Sequence, residues 1–210
     1  MTPTKGERTR QRIVATVAPI FNQRGYAGTS LEDVMSASGL KKGGIYRHFE
    51  SKDALALAAF DHSVALQSER IRVYVSTAKT AEDRLNGLAN ALASIADDPP
   101  LPGGCPLLNT AVECDDAVGP AYARLRARAR RAMANLISYA ERVVAEGIAS
   151  GELEADTNAA DEAQALVGAL EGALMLAKLF DDPTYAHRAA ARVAIRTRTL
   201  LTPKARRGRH

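Results

Sequence analysis

The sequence predicts an all-α fold, with three short helices at the N-terminus followed by a larger helical body. Apolar residues recur at intervals of three and four along most of the chain, and no stretch alternates as a strand would. Aromatic residues make up 5% of the sequence, Trp is absent, and alanine is abundant in the second half. This composition favours closely packed helices over a β-sandwich.

The first helix is predicted over about residues 7–24. Pro19 removes the hydrogen bond to the Ala15 carbonyl, so a kink is expected there. Gly25 follows the last periodic residue and is expected to end the helix. One apolar stripe runs along the helix, formed by Ile13, Val17, Ile20 and Phe21.

The second helix is short and ends at Gly39, a residue suited to a tight turn. Thr29 and Glu32 have the spacing of a capping box, which predicts Thr29 as the N-cap. Its buried side is predicted to consist of Leu31, Val34 and Met35.

The third helix is predicted over about residues 41–48, with Ile45 and Phe49 as its apolar pair. Ser51 is expected to cap a fourth helix that continues toward Tyr74. A loop at 97–104 interrupts the later helices, because it combines acidic residues, prolines and glycines. Those later helices are predicted at about 81–97, 106–114, 120–149, 159–181 and 184–201.

Basic residues concentrate at the two ends of the chain. The first 56 residues carry nine Lys or Arg and five Asp or Glu, and residues 204–210 carry four basic residues and no acidic one. A basic end beside an acidic body suits a module that meets phosphates. A further run on the long helix is open to three interpretations, a solvated face with acidic neighbours, an anion pocket or extra DNA contact: Arg124, Arg126, Arg128, Arg130 and Arg131.

The second and third helices, joined by a glycine-containing turn, form a helix-turn-helix pattern, whose second helix enters the DNA major groove. Gly43 and Gly44 each cost about 1 kcal/mol relative to Ala in a helix, but they let backbone N–H groups approach DNA closely. Lys52 lies in the first turn of the fourth helix, where a bound phosphate would relieve its conflict with the helix dipole. The outward face is predicted to carry Lys41, Lys42, Tyr46, Arg47 and His48.

Residues 9–60 closely resemble the DNA-binding region of the TetR family of bacterial regulators. The resemblance rests on the segments Gly25-Tyr26, Thr29-Ser30-Leu31, Ser38-Gly39-Leu40, Ile45-Tyr46-Arg47-His48-Phe49 and Ser51-Lys52-Asp53-Ala54-Leu55.

The resemblance also implies roles for single residues. Thr29 would touch a phosphate. Lys42, Gly43 and Tyr46 would face the bases or the groove, and Tyr46, His48 and Lys52 would hold the DNA backbone. It further implies a cytoplasmic transcriptional regulator, by default a repressor, which a small-molecule ligand releases from a pseudo-palindromic double-stranded operator.

The same resemblance implies a homodimer, formed by the last two long helices at 159–181 and 184–201. Glu171 and the polar flanks of the first of these argue against a membrane span, and no window of about 18 apolar residues is expected. Small residues that permit close helix approach are Gly168, Ala169, Gly172 and Ala173, followed on the last helix by Ala189, Ala190, Ala191 and Ala194.

The effector is unknown, and its pocket would lie in the helical body. Each candidate lining residue also fits an ordinary core position. The candidates are His62, Leu66, Cys105, Leu108, Met133, Leu136, Tyr139, Leu170 and Leu174.

The role of Cys105 is open to two interpretations. It is either a small packing residue or a reactive thiol near a helix N-terminus, which would make the chain a redox or electrophile sensor. The Gly-Cys pair resembles one found in family members that respond to electrophiles. Cys114, beside Asp115 and Asp116, has no comparable setting.

No enzyme, cofactor or metal ion is expected. The sequence shows no nucleophile triad, phosphate loop or carboxylate pair with a catalytic pattern, and its four histidines are scattered. The predicted domains are a helix-turn-helix DNA-binding domain at 1–50, a ligand-binding and dimerisation domain at 51–203, and a disordered basic tail at 204–210.

Overall fold

The computed structural model describes residues 3–207, and within that range it contains ten α-helices, one 3₁₀ turn at Ser94–Ala96 and no strand. The predicted all-α class is confirmed. The helices are α1 (Lys5–Arg24), α2 (Leu31–Ser38), α3 (Lys42–Tyr46), α4 (Lys52–Val75), α5 (Ala81–Ala93), α6 (Pro106–Glu113), α7 (Pro120–Ala149), α8 (Ala159–Phe180), α9 (Thr184–Leu200) and α10 (Pro203–Arg207).

The chain divides into two compact units. The first unit combines the chain up to Gln67 with Pro100–Arg130, and the second combines Ser68–Pro99 with the chain from Arg131 onward. Helices α4 and α7 contribute residues to both units. The division of function that the sequence predicts near residue 50 stays a prediction.

The first unit encloses one apolar core, to which each of the first four helices contributes. Burying a Val, Leu or Ile side chain stabilises the folded state by about 1.5–3 kcal/mol, so these contacts hold the three N-terminal helices together. The most deeply buried members are Ile13 and Val17 of α1, Val34 of α2, Ile45 of α3 and Leu55 of α4.

Helix α1 begins at a capping box in which the Thr4 side chain accepts from the Glu7 N–H and the Glu7 carboxylate accepts from the Thr4 N–H. The helix continues through Pro19 without a break. It ends at Gly25, whose φ of 74° is a conformation that glycine adopts readily.

The predicted cap of α2 was wrong by one residue. Ser30 is the N-cap, and it forms a reciprocal capping box with Asp33. Thr29 cannot serve, because its hydroxyl donates to the Gly25 carbonyl oxygen at 2.7 Å inside the preceding turn. Glu32 therefore takes no part in the capping box.

The turns on either side of α3 agree with prediction. Gly39 ends α2 in the left-handed conformation with φ 66°, and its N–H donates to the Met35 carbonyl. Ser51 caps α4 by accepting from the Ala54 N–H at 3.1 Å. Helix α3 itself is shorter than predicted, since it covers only Lys42–Tyr46.

In the second unit, α5 packs against α8 and α9, and α8 packs against α9. The Glu152 carboxylate accepts from the N–H groups of Ala81 and Glu82 at 2.7 and 3.0 Å, which anchors the start of α5. An isolated antiparallel bridge joins Leu153 and Leu201. The core here includes Leu85, Val143, Val144, Leu153 and Leu200.

The C-terminal tail departs from its predicted disorder over residues 204–207. These residues belong to α10, in which the Arg206 guanidinium donates to the Thr199 carbonyl at 2.8 Å. The remainder of the predicted tail, 208–210, lies outside the described residues.

Helix α8 is long and apolar enough, by length and composition alone, to cross a membrane, although no such segment was expected. One third of the apolar window is buried inside the unit. A core helix of a soluble protein passes the same test, so this finding is weak evidence for a membrane.

Candidate DNA-binding site

Helix α3 is anchored on one face and open on the other. Ile45 and Phe49 are 2% and 3% exposed and fix the helix to the core of the first unit. His48 is half-buried, so it contributes less to the open face than the sequence predicts. The residues exposed on the open face are Lys41, Lys42, Tyr46 and Arg47.

The two glycines of α3 are not needed for packing inside the protein. A Cβ atom at Gly43 would meet nothing within 4 Å, and one at Gly44 would make an ordinary contact with Leu40 at 3.5 Å. Each glycine weakens a helix by about 1 kcal/mol relative to Ala, and among the described residues no packing contact accounts for the pair.

Cationic groups lie over aromatic rings around α3. The Lys42 ammonium lies 5.9 Å from the Tyr46 ring centroid, and the Arg10 guanidinium lies 4.6 Å from that of Phe49. Both cations belong to exposed residues. The arrangement extends the basic surface from α3 to α1.

Thr29 does not have the place that the resemblance implies. It is fully buried, and the Gly25 carbonyl already occupies its hydroxyl. A phosphate cannot reach this side chain in the conformation described, so the expected contact is corrected. The role of Thr29 here is to hold the turn between α1 and α2.

Lys52 also has a partner within the protein. Its Nζ donates to the Tyr26 carbonyl at 2.7 Å and lies 4.3 Å from the Tyr26 ring centroid. Burial lowers the pKa of the ammonium, and nearby carboxylates, Asp53 first among them, oppose that change. A bound phosphate is therefore not needed to explain the lysine, which corrects the argument made from the helix dipole.

Tyr26 is a central contact of the first unit that sequence reasoning missed. Its hydroxyl donates to Asp53 Oδ1 at 2.5 Å, and Arg124 donates to Asp53 Oδ2 at 2.8 Å. Burial, followed by the hydrogen bond to Asp53, raises the pKa of Tyr26 to about 12. The Tyr122 ring meets the Tyr26 ring edge-on at 5.2 Å.

Three of the five arginines in the run on α7 meet acidic or carbonyl partners in the first unit, as the solvated-face interpretation predicts. Arg124 pairs with Asp53, Arg128 pairs with Asp61, and Arg126 donates to the Asp115 carbonyl at 2.6 Å. These arginines therefore have a structural role that requires neither an anionic ligand nor DNA.

The nine candidate effector residues fall in different units. Four belong to the first unit and five to the second, and most of them are core or half-buried positions. Those of the first unit are His62, Leu66, Cys105 and Leu108; those of the second are Met133, Leu136, Tyr139, Leu170 and Leu174.

Three cavities are lined almost entirely by residues other than the nine candidates. A cavity of about 30 Å³ in the first unit lies among residues of α1, α4, α6 and α7 and contains none of the nine candidates. A groove of about 600 Å³ beside α1 includes His62. A groove of about 610 Å³ in the second unit also contains none, and its polar lining includes Glu162, Arg192 and Arg196.

Both cysteines are buried. Cys105 is 4% exposed, and its Sγ lies 4.0 Å from Nε2 of the buried Gln67. Burial raises the pKa of the Cys114 thiol, and Glu113 acts in the same direction. The packing interpretation of Cys105 agrees with its burial, and the sensor interpretation stays a prediction.

Two family models match this chain. The model described as "Bacterial regulatory proteins, tetR family" matches residues 13–59, and the model described as "Tetracyclin repressor-like, C-terminal domain" matches residues 81–193. Together they cover the helix-turn-helix and most of the remaining helices.

Solved structures and curated relatives agree with the two family models. The chain is 41% identical to a TetR transcriptional regulator from Chloroflexus aurantiacus J-10-FL, with a TM-score of 0.87 over 94% of this chain and 98% of that one. It is 31% identical to a TetR-family regulator from Cytophaga hutchinsonii, with a TM-score of 0.88 over 96% and 99%. It is also 27% identical over 172 residues to the HTH-type transcriptional repressor DhaR of Mycobacterium sp. (strain GP1), across 81% of this chain and 82% of that protein.

A basic helix-turn-helix on an all-α fold, with these relatives, defines a DNA-binding transcriptional regulator. Within that class, the chain belongs to the TetR family.

Proposed function

We propose that this regulator is a homodimeric repressor that binds a pseudo-palindromic operator and leaves it when a small molecule binds. The observation that carries the proposal is the open face of α3, where Lys41, Lys42, Tyr46 and Arg47 are exposed opposite a buried apolar pair. Two such helices would enter successive major grooves, roughly 34 Å apart. Gly43 would let the DNA approach the α3 backbone.

The dimer would form through α8 and α9. Met175, Leu179 and Phe180 of α8 are 49%, 72% and 58% exposed, and a Cβ atom at Gly168 or Gly172 would meet nothing within 4 Å. An exposed apolar stripe with small residues is suited to close packing against a symmetry-related helix. Covering it with a second copy also accounts for the apolar character of α8 without a membrane.

The effector would act by binding one conformation better than another, because a ligand shifts an equilibrium only by that difference. The lining of its pocket stays a prediction, because the nine candidate residues named above are divided between the two units. We assign the protein no catalytic activity and a cytoplasmic location, in keeping with relatives described as transcriptional regulators and repressors.

The first test is selection of genomic DNA fragments by the purified protein at near-physiological salt, followed by sequencing. Recovery of one or a few sites with a two-fold repeat is the expected result. Binding without sequence preference, lost as salt rises, would reduce the interaction to non-specific phosphate attraction.

A matched pair of variants assigns the contact to α3. Lys42→Ala is expected to weaken binding to the selected fragment by about tenfold, as loss of one base or phosphate contact would. Lys79→Ala removes another exposed lysine, outside the helix-turn-helix, and we expect it to change the affinity less than about twofold. Equal effects of the two variants would remove the argument for α3.

The alternative sensor chemistry has its own test. If Cys105→Ser still releases DNA when the inducer is added, the thiol is not the sensor. Loss of the response, with DNA binding retained, would favour covalent sensing.

A further inference from the structure

We propose that Glu113, at the end of α6, is a positioning residue for the DNA-binding helix and that it acts through the turn between α1 and α2. Its two carboxylate oxygens accept from two consecutive backbone groups: Oε2 from the Tyr26 N–H and Oε1 from the Ala27 N–H, both at 2.9 Å. The inference rests on the proposed operator binding through α3.

The turn is built around this carboxylate. Gly25 has a φ of 74°, and a Cβ atom there would lie 2.5–2.7 Å from the Glu113 carboxylate atoms. A side chain at position 25 would therefore displace the carboxylate that accepts from the next two amides. The absence of a side chain at Gly25 leaves the space that the Glu113 carboxylate occupies.

Further hydrogen bonds fasten the same stretch of chain to the segment that carries α6. The Asn109 amide donates to the Asn22 carbonyl at 3.0 Å and to the Gly103 carbonyl at 2.8 Å. The Asn22 amide donates to the carbonyls of Pro102 and Gly104 at 2.9 and 3.0 Å. The end of α1 and the turn after it are thus tied to residues 102–113.

The turn between α1 and α2 also sets the position of α3. Thr29 closes it through the Gly25 carbonyl, α2 starts directly afterwards at Leu31, and Gly39 fixes the next turn. Helix α2 packs against both α1 and α3. A change in the turn would therefore tilt α3 relative to α1, and a displacement of about 1 Å is enough to weaken hydrogen bonds to base edges.

The second unit offers a matched control. Glu152 accepts from two consecutive N–H groups, those of Ala81 and Glu82, in the same two-oxygen manner, and it anchors the start of α5 in the second unit. Glu113→Gln and Glu152→Gln make the same chemical change. Each replaces one acceptor oxygen by an amide donor that faces a backbone N–H.

The experiment compares both variants with the wild-type protein by thermal unfolding and by titration of the selected DNA fragment. Glu113→Gln is expected to weaken DNA binding by about tenfold, the scale of one lost charge-assisted hydrogen bond. Glu152→Gln is expected to lower the melting temperature by about as much as Glu113→Gln does, because each variant loses the same kind of hydrogen bond. It is expected to leave the DNA affinity within about twofold of the wild-type value.

The sign of the effect separates positioning from simple electrostatics. Removing the carboxylate makes the chain one charge more positive, which by attraction to phosphates alone would tighten DNA binding. Unchanged or tighter binding by Glu113→Gln, or equal weakening by the two variants, would overturn the proposal. The titration of the wild-type protein alone tests operator binding. The ratio of the variant's affinity to the wild-type affinity tests the positioning role of Glu113.

Amide hydrogen exchange of the unmodified protein tests the contact without DNA and without a variant. The Ala27 N–H belongs to an exposed residue, so Glu113 is expected to slow its exchange well below that of an open turn. Exchange of the Tyr26 and Ala27 amides at the rate of an unprotected chain would overturn the proposal even if every variant failed to fold.

Discussion

Gly147 in α7 and Gly43 in α3 occupy helices of different units and have opposite surroundings. A Cβ atom at Gly147 would lie 2.7 Å from the Ala81 Cβ and 2.8 Å from Leu153 Cδ1, whereas one at Gly43 would lie in open space. Each glycine weakens its helix by about 1 kcal/mol relative to Ala. In the first case a close helix contact offsets the loss inside the protein, and in the second no such contact exists.

The contrast between the two glycines indicates which surfaces meet another molecule. A residue that is unfavourable locally and has an internal reason belongs to the fold, while one without an internal reason indicates a surface that meets another molecule. Gly168 and Gly172 of α8 behave like Gly43, since nothing lies within 4 Å of their Cβ positions. By this criterion α3 and α8 are outward-directed surfaces, which supports the proposed contacts of α3 with DNA and of α8 with a second copy.

The largest expected effect is on dimer formation. Gly168→Arg would place a bulky charged side chain where two α8 helices approach, and we expect the dimer dissociation constant to rise by at least about 100-fold. Sedimentation velocity over a range of concentrations measures it. Ala145→Arg, on an exposed face of α7, is the matched control; an unchanged dimer in Gly168→Arg would place the interface elsewhere.

The next effect tests the internal glycine. Gly147→Val would overpack the contact with Ala81 and Leu153, and we expect the free energy of unfolding to fall by about 2 kcal/mol. Ala145→Val, two residues away and exposed, is expected to lower it by about 0.5 kcal/mol through helix propensity alone. Denaturant unfolding measures both, and equal effects would show that the packing at Gly147 is loose.

Gly43→Ala should move two properties in opposite directions. The added methyl group is expected to raise the free energy of unfolding by about 0.5–1 kcal/mol, because alanine favours the helix and meets no neighbour. It is expected to weaken binding to the selected DNA by about tenfold by keeping the DNA away from the backbone. A gain in stability with unchanged DNA affinity would contradict the close approach proposed at this position.

The smallest effects distinguish two tyrosines of the first unit, Tyr26 and Tyr46. The Tyr26 hydroxyl is bonded to Asp53, so Tyr26→Phe is expected to lower the free energy of unfolding by about 1 kcal/mol. Tyr46 is 38% exposed, and Tyr46→Phe is expected to leave the unfolding free energy unchanged while weakening DNA binding. Reversal of this pattern would contradict the orientation of α3.

The Tyr26 contribution also has a pH dependence of definite sign. Its pKa in the folded protein is about 12, above the ordinary value of 10.0, so folding favours the neutral phenol. The stability difference between wild type and Tyr26→Phe should be constant below pH 10 and shrink as the pH rises through 12. Urea unfolding at several pH values checks it, and a difference that grows with pH would contradict the assignment.

Much of the fold could be predicted because its signals are local. Apolar spacing located the main helices, Ile45 and Phe49 were correctly assigned to the core, and Gly39 and Ser51 mark the ends that their chemistry favours. The cap of α2 was missed by one residue, because Thr29 and Ser30 are both good caps. Only the hydrogen bond from Thr29 to Gly25 decides between them.

The candidate site was predicted only in part, since several of its groups find partners far along the chain. Lys52 bonds to Tyr26, which precedes it by 26 residues, and Glu113 bonds to amides 86 and 87 residues before it. Neither apolar periodicity nor a sequence motif predicts hydrogen bonds between residues so far apart in the chain. The effector pocket stays a prediction, because the shape of a cavity depends on how several helices fill the space between them.

The helical class, the helix-turn-helix and the outward face of α3 follow from the sequence, because each depends on residues within one or two turns of one another. The tertiary structure alone decided which polar groups remain available to a ligand. Thr29, Lys52 and Glu113 are all able to bind another molecule by their chemistry, and the fold satisfies each with a backbone group of the first unit. Packing makes that choice, since a polar group removed from water takes the partner that the surrounding chain brings to it.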